Sequence, residues 1–188
     1  MKYSIAIYIY IFGLLTSCNQ PKIRKPIVHK SNVSFFEESI KINQQLIKQQ
    51  EALFKNIIEQ DTINTYKNST LGFWYYFNVK NKKQKTKVKS GSELIINYEI
   101  RDINNNIILK ADELGSKNQK NKSDRLLKID GEDFILGLHE GIKLMQEGET
   151  ATFLLPSIKA FGVTGLQGKI APNEPLIIKV NVKQILNK

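Results

Sequence analysis

From Ser34 to Gln60 no Gly or Pro interrupts the chain. On a helical wheel Phe35, Phe36, Ile40, Ile42, Leu46, Ile47, Leu53, Phe54, Ile57 and Ile58 fall on one wide apolar face, and Glu37, Lys41, Gln45, Lys48, Lys55 and Glu59 take the other. Ser34 and Glu37 have the spacing of a capping box. The pattern predicts an amphipathic helical segment over 34–61, which must cover its stripe with something. Asn43 and Gln50, seven residues apart, lie inside that stripe. They suit a dimerising coiled coil whose register they would set, or a helix docked on its own domain with polar breaks in its seam. Fewer than four heptads are available, which favours docking.

Past residue 70 the period changes. "FWYYFNVK" (73–80) is aromatic and β-branched, with Phe73, Tyr75, Phe77 and Val79 expected to point one way. "ELIINYEIRDI" (93–103) alternates again, and "NNN" (104–106) tolerates the positive φ of a hairpin into "IIL" (107–109). The lysine-rich stretch before residue 93 and the polar stretch 110–124 read as loops. "RLLKID" is a short strand; Gly137–Met145 is a short helix, with Gly148 expected as its left-handed cap. "TATFLLP" (150–156) and "PLIIKVNVKQIL" (175–186) are further strands. A short helix crossing a curved antiparallel sheet is an α+β design, and residues 70–188 suffice for one core.

The N-terminus carries a different signal. Lys2 is followed by "YSIAIYIYIFGLL" (3–15), which has no charge and is shorter than the ~20 helical residues a bilayer demands. It suits the apolar region of a secretory signal. Cys18 is the sole cysteine, so it has no disulfide partner within the chain, and a zinc site would need several ligands. "LTSC" (15–18) resembles the bacterial lipobox, in which the chain is cut before a cysteine that receives lipid. Residues 1–17 are therefore read as a lipoprotein signal peptide, and 18–33 as a basic, proline-broken tether anchored to the membrane through lipid on Cys18.

A net charge of +10 raises nucleic acid as a partner, but of 28 basic residues only Arg24, Arg101 and Arg125 are arginine. Phosphate and base readers favour the guanidinium fork. The charge reads as a solvated surface with some attraction to anionic lipid heads, and no nucleic acid is expected. His29 and His139 lack partners at ligand spacing and are expected at the surface.

"DFILGLHEGIKLMQEGETATFLLPSIKAFGVTGLQGKIAPNEPLIIKVNVKQI" (133–185) resembles the C-terminal half of FKBP-type peptidyl-prolyl isomerases, and "GSELIINYEI" (91–100) resembles that family's strand bearing its pocket tyrosine. The resemblance covers 70–188 and implies an FKBP-like antiparallel half-barrel sheet wrapped over one short helix, preceded here by a long N-terminal helix. With the lipid anchor, the chain looks like the FKBP-type lipoproteins associated with gliding motility in bacteria. The implied chemistry is rotation of X-Pro bonds, whose barrier of ~20 kcal/mol comes from lost amide resonance. A dry apolar slot that holds the twisted form better than either planar form lowers it. No nucleophile, metal or cofactor is needed.

By this resemblance Tyr98 is the pocket tyrosine, whose hydroxyl can donate into the slot. Phe134 and Ile135 match the apolar pair before the helix, where the Ile backbone N–H binds the substrate carbonyl. Leu138 takes the floor position, occupied by Trp in the best-known members. Phe161 stands where the family usually has Tyr, so one hydroxyl is missing. Ile170 matches a flap residue, and Ile178 replaces an aromatic wall. Leu109-Lys110 replaces the family's Phe-Asp, in which Phe walls the slot and Asp partners the tyrosine. An apolar proline-binding groove with weakened isomerase activity is expected, and weak macrolide binding with it.

Two function classes follow. One is an isomerase or folding helper acting on proline-containing segments of exported proteins. The other is a lipoprotein whose FKBP-like domain binds a partner without turnover, as part of a motility or secretion machine. Asn19-Gln20-Pro21-Lys22 contains no acidic residue, and surface-export signals in lipoproteins of gliding bacteria are acidic. The expected location is the periplasmic face of the outer membrane.

Overall fold

The computed structural model describes residues 31–82, 86–111, 113, 124–131 and 134–186, with side chains from Phe36 onward. The signal peptide, Cys18, the tether as far as residue 30 with His29, and most of the 110–124 loop lie outside the described residues, whereas Ser34, expected as a cap, lies inside a helix that already begins at Ser31. The chain divides into two compact units, Met1–Ile40 and Lys41–Lys188. In the first, the described residues are the opening of a helix, α1 (Ser31–Gln60), where Phe36 and Ile40 are exposed.

The second unit holds the rest of α1 and seven strands: β1 (Lys67–Ser69), β2 (Phe73–Val79), β3 (Glu93–Arg101), β4 (Ile107–Lys110), β5 (Arg125–Lys128), β6 (Thr150–Leu155) and β7 (Leu176–Ile185). A short helix, α2 (Leu136–Ile142), precedes β6, and a 3-10 turn (Ser157–Lys159) follows it. The sheet is antiparallel throughout, in the order β1-β2-β6-β7-β3-β4. The outer edge of β3 is shared: β5 pairs with residues 93–96 and β4 with 99–101. This is the α+β architecture the sequence pattern predicts. β1 and the 3-10 turn are additions; three residues are too few to show a period.

The alternation in β3 sets the main core. Leu94, Ile96, Tyr98 and Ile100 are buried while their neighbours are only partly covered. They meet Leu138, Ile142, Phe153, Ile178 and Val180 beneath α2. The hairpin turn is closed by Asp102, whose Oδ1 accepts the N–H groups of Asn104 (2.9 Å) and Asn106 (2.8 Å), with Asn105 at φ 68°. In β2, Phe73, Tyr75 and Phe77 pack on the core, but a register shift after Phe77 leaves Val79 exposed rather than on that face.

Two glycines let α2 lie directly on the sheet. A Cβ at Gly141 would come within 2.6 Å of the Phe153 ring, and one at Gly137 within 2.8 Å of the Lys159 carbonyl oxygen. Each costs ~1 kcal/mol of helix propensity relative to Ala, and the close approach offsets it. The helix ends at Ile142, earlier than expected, with Lys143 in right-handed geometry as its C-cap. Gly148 does adopt φ 79°, but it serves the turn into β6, donating to Val182 O at 2.6 Å.

Within the second unit, α1 docks on the other face of the sheet through a narrower stripe than the wheel suggests. Phe54 is buried against Leu154 and Ile177, with Ile57, Ile58, Tyr66 and Trp74 around them. Ile42 and Leu53 remain exposed. Gln50, a polar break in the stripe, is itself buried, with 3% of its surface exposed. β6 is buried on both sides from Ala151 to Leu155, with α1 covering Leu154 through Phe54. Asp61 ends the helix: its Oδ1 accepts Ile63 N–H (3.0 Å) and Asn64 N–H (3.1 Å), and its Oδ2 accepts the Tyr66 hydroxyl (2.8 Å).

Candidate active site

A cavity of about 300 Å³ opens beside the N-terminus of α2, lined by Phe134, Ile135, Ala160, Phe161 and Thr164. Its two walls come from short segments on either side of β6. The first is the approach to α2. Ile135 is the N-cap residue, extended (φ −62°, ψ 111°), and its carbonyl accepts Leu138 N–H (3.0 Å) and His139 N–H (3.2 Å). Among the described residues no carbonyl accepts the Ile135 N–H.

Phe134 is held edge and face. Its ring lies 5.7 Å from that of Tyr98 at 58° and 6.3 Å from that of His139 at 89°. The Arg125 guanidinium lies over it, 4.2 Å from the centroid, in cation–π geometry. His139 is buried, 3% exposed, and its Nδ1 accepts the Asp130 N–H at 3.3 Å. This corrects the surface position expected for it: a single polar residue in a short helix carries no period from which to read its face. The Asp130 carboxylate is held below its ordinary range, first by the Lys143 ammonium at 2.9 Å.

The second wall follows the 3-10 turn. Ala160 and Gly162 both donate to Ser157 O, at 2.9 and 2.8 Å, and the Phe161 carbonyl accepts from Gly165 N–H and from the Thr164 hydroxyl (2.9 Å). Leu166 and Ile170 exchange a pair of backbone hydrogen bonds, and Ile170 is buried. The segment turns Ala160, Phe161 and Thr164 toward the cavity, and these backbone bonds hold its turns.

Of the residues singled out from sequence, Phe134, Ile135 and Phe161 therefore share one cavity, with the buried Tyr98 ring against Phe134. Leu109, Leu138, Ile170 and Ile178 lie in the core; Ile178 pairs with Ile100 on one side and Phe153 on the other. Lys110 departs from the sequence reading. Leu109 and Ala111 point inward, and Ala111 N–H donates to Tyr98 O at 3.0 Å. Lys110 lies exposed between them, opposite Glu99, so it does not face the tyrosine ring. Counting residues through a hairpin fixes a strand's face only when its turn is known. Ala160, Thr164 and Arg125 were not singled out; Ala160 and Thr164 flank Phe161 in a glycine-rich loop with no period of its own.

A larger hollow of about 370 Å³ lies elsewhere, where Ile47, Phe54 and Trp74 meet Pro156 and Ile158. Its size does not make it the better candidate, because it groups no residues with a shared chemical role. Among the described residues no three His, Cys, Asp or Glu side chains could hold a metal ion. No helix among them is long and apolar enough to cross a membrane.

A family model described as FKBP-type peptidyl-prolyl cis-trans isomerase matches residues 84–183. The chain belongs to this family. No individual curated protein matches it. Among solved structures, a peptidyl-prolyl cis-trans isomerase from Pseudomonas syringae pv. tomato superposes with a TM-score of 0.58 at 16% identity, over 76% of this chain and 94% of that one. At that identity the likeness shows the fold: an antiparallel sheet of FKBP-like order with a short helix, behind a long N-terminal helix. The cavity lies wholly within the matched segment.

Proposed function

We propose that this FKBP-type protein is a membrane-anchored prolyl isomerase and folding helper for exported envelope proteins. The observation that carries the reading is the convergence of Phe134, Ile135 and Phe161 on one cavity backed by Tyr98. Proline would lie against the two phenylalanine rings, and the Ile135 N–H would take the substrate carbonyl. Desolvation by these walls disfavours the planar, more polar amide, and rate follows from preferring the twisted form. Leu109, Leu138, Ile170 and Ile178 support the walls from the core in this reading. Macrolide binding is weak, because Phe161 supplies no hydroxyl.

Uncatalysed X-Pro isomerisation takes about tens to hundreds of seconds at 25 °C, so a weak catalyst stands out in a protease-coupled peptide assay. Acceleration is expected for peptides with a bulky apolar residue before Pro, and Phe161→Ala is expected to reduce it about ten-fold with the domain still folded. Lack of acceleration by the wild type hands the protein to a second reading, a binding module that holds proline segments without turnover. The missing hydroxyl at Phe161 favours that alternative.

The cell address belongs to the same proposal. Residues 1–17 direct export, lipid on Cys18 anchors the chain, and the domain lies on the periplasmic face of the outer membrane, serving a gliding-motility apparatus. The support is the lipobox-like "LTSC" and the acid-free residues after Cys18. Cys18→Ala is expected to release the protein from membranes on fractionation, and protease applied to intact cells is expected to leave the wild type uncut. A variant that stays in the membrane fraction defeats the lipid anchor.

A further inference from the structure

Gln50, a residue of α1's docked stripe, reaches beyond the sheet and hydrogen-bonds to the loop forming the cavity's second wall. Its Oε1 accepts the Ser157 N–H at 2.9 Å, and its Nε2 donates to Ser157 Oγ (3.0 Å) and to the Asn173 carbonyl (2.9 Å). The loop completes the circuit: Asn173 N–H donates to Gly162 O, and Gly162 N–H donates to Ser157 O, both at 2.8 Å. Ala160 and Phe161 lie on the stretch between Ser157 and Gly162, inside this ring of hydrogen bonds. Asn173, whose carbonyl takes the amide, holds a left-handed φ of 59°. Gln50 and Ser157 are both buried, so water does not readily replace these bonds.

We infer that Gln50 is a positioning residue for the candidate active site: through Ser157 and Asn173 it clamps both ends of the segment that presents Ala160 and Phe161 to the cavity. A side chain that only glued α1 to the domain would need one partner on the nearest surface. This amide instead bridges two points of the loop sixteen residues apart in sequence, and so adds a buried side-chain strut to the backbone bonds that link Ser157, Gly162 and Asn173. The kinetic part of the inference rests on the isomerase reading; the structural part does not.

The test uses the full chain and three variants. Gln50→Met keeps the length and apolar body of the side chain and removes all three hydrogen bonds. Ser157→Ala removes only the Oγ acceptor. Phe54→Leu loosens the packing of α1 on the sheet and leaves the Gln50 circuit intact. Native-state amide exchange at Gly162 and Asn173 is expected to quicken about ten-fold in Gln50→Met and less in Ser157→Ala, with β3 and β7 unchanged. In proline-peptide turnover, Gln50→Met is expected to lower kcat/KM about ten-fold, chiefly through KM, because a displaced wall weakens binding. Phe54→Leu is expected to leave the exchange at Gly162 and Asn173 and the KM at wild-type values. The inference is overturned if Gln50→Met changes neither, or if Phe54→Leu shifts both equally. A wild type without turnover refutes the isomerase reading alone, and the exchange comparison still decides the role of Gln50.

Discussion

Among the described residues, twenty-three buried residues form one apolar core on the side of the sheet facing α2, running from β2 to β7. The apolar cluster on the side facing α1 has three buried members among them: Phe54, Leu154 and Ile177. Stability scales with the apolar surface removed from water, at about 25 cal/mol per Å², so the first face carries the fold. The second covers β6 and adds a polar clamp, Gln50, on the loop behind it. A small core beside a directed hydrogen-bond circuit suits an element that sets a loop's position more than one that resists unfolding.

The sharpest way to break this comparison is to hollow each core in turn. Phe153→Ala removes a fully buried ring beneath α2 and is expected to cost ~4 kcal/mol in urea unfolding. Phe54→Ala removes a ring of the same size from the smaller cluster, which collapses more easily, and is expected to cost ~2–3 kcal/mol. Equal losses would mean that α1 belongs to the main cooperative unit and that the two faces do not differ in kind.

Overfilling the main core tests the same point from the other direction. Gly141→Ala places a methyl 2.6 Å from Phe153 and is expected to cost ~2–3 kcal/mol, with part recovered when Phe153→Leu is added. Leu109→Phe, which the family resemblance suggests as restoring a wall, is expected instead to cost ~1–2 kcal/mol, since Leu109 is fully buried.

The smallest effect belongs to the α1 side. Asp61 is depressed from 3.8 to about 2, first by the Asn64 side chain and also by the Tyr66 hydroxyl. A carboxyl lowered on folding stabilises above its unfolded pKa and loses that contribution as pH falls through its folded one, so the window runs from about pH 4 to 2. Asp61 is partly solvated, which screens the gain to under ~1 kcal/mol. Asp61→Ala should therefore lower the urea midpoint at pH 7, and its gap from the wild type should narrow towards pH 2. A gap that widens on acidification contradicts this sign.

The legibility of these regions in sequence follows their physics. β3 and the middle of β7 announce themselves because one face is dry and the other wetter, which writes a period of two into residues 93–101 and 178–183. The apolar pair Phe134-Ile135 and the aromatic at Phe161 were legible only through their resemblance to a family, since a binding wall has no period. Gln50 was visible as an anomaly, a polar residue in an apolar stripe, but its partners lie more than a hundred residues away. His139 and Lys110 failed for local reasons: a seven-residue helix carries too little period to give a face, and a strand's face beyond a hairpin depends on how the turn is made.

The last strand in chain order, β7, lies in the middle of the sheet, between β6 and β3. Without residues 176–185 the sheet is two unjoined pieces, β1-β2-β6 and β3 with β4 and β5. A chain emerging N-terminus first, from a ribosome or a narrow channel, therefore cannot zip its strands up progressively. It must keep both pieces waiting with open edges until the final strand slots between them, which makes assembly late, all at once and dependent on distant partners.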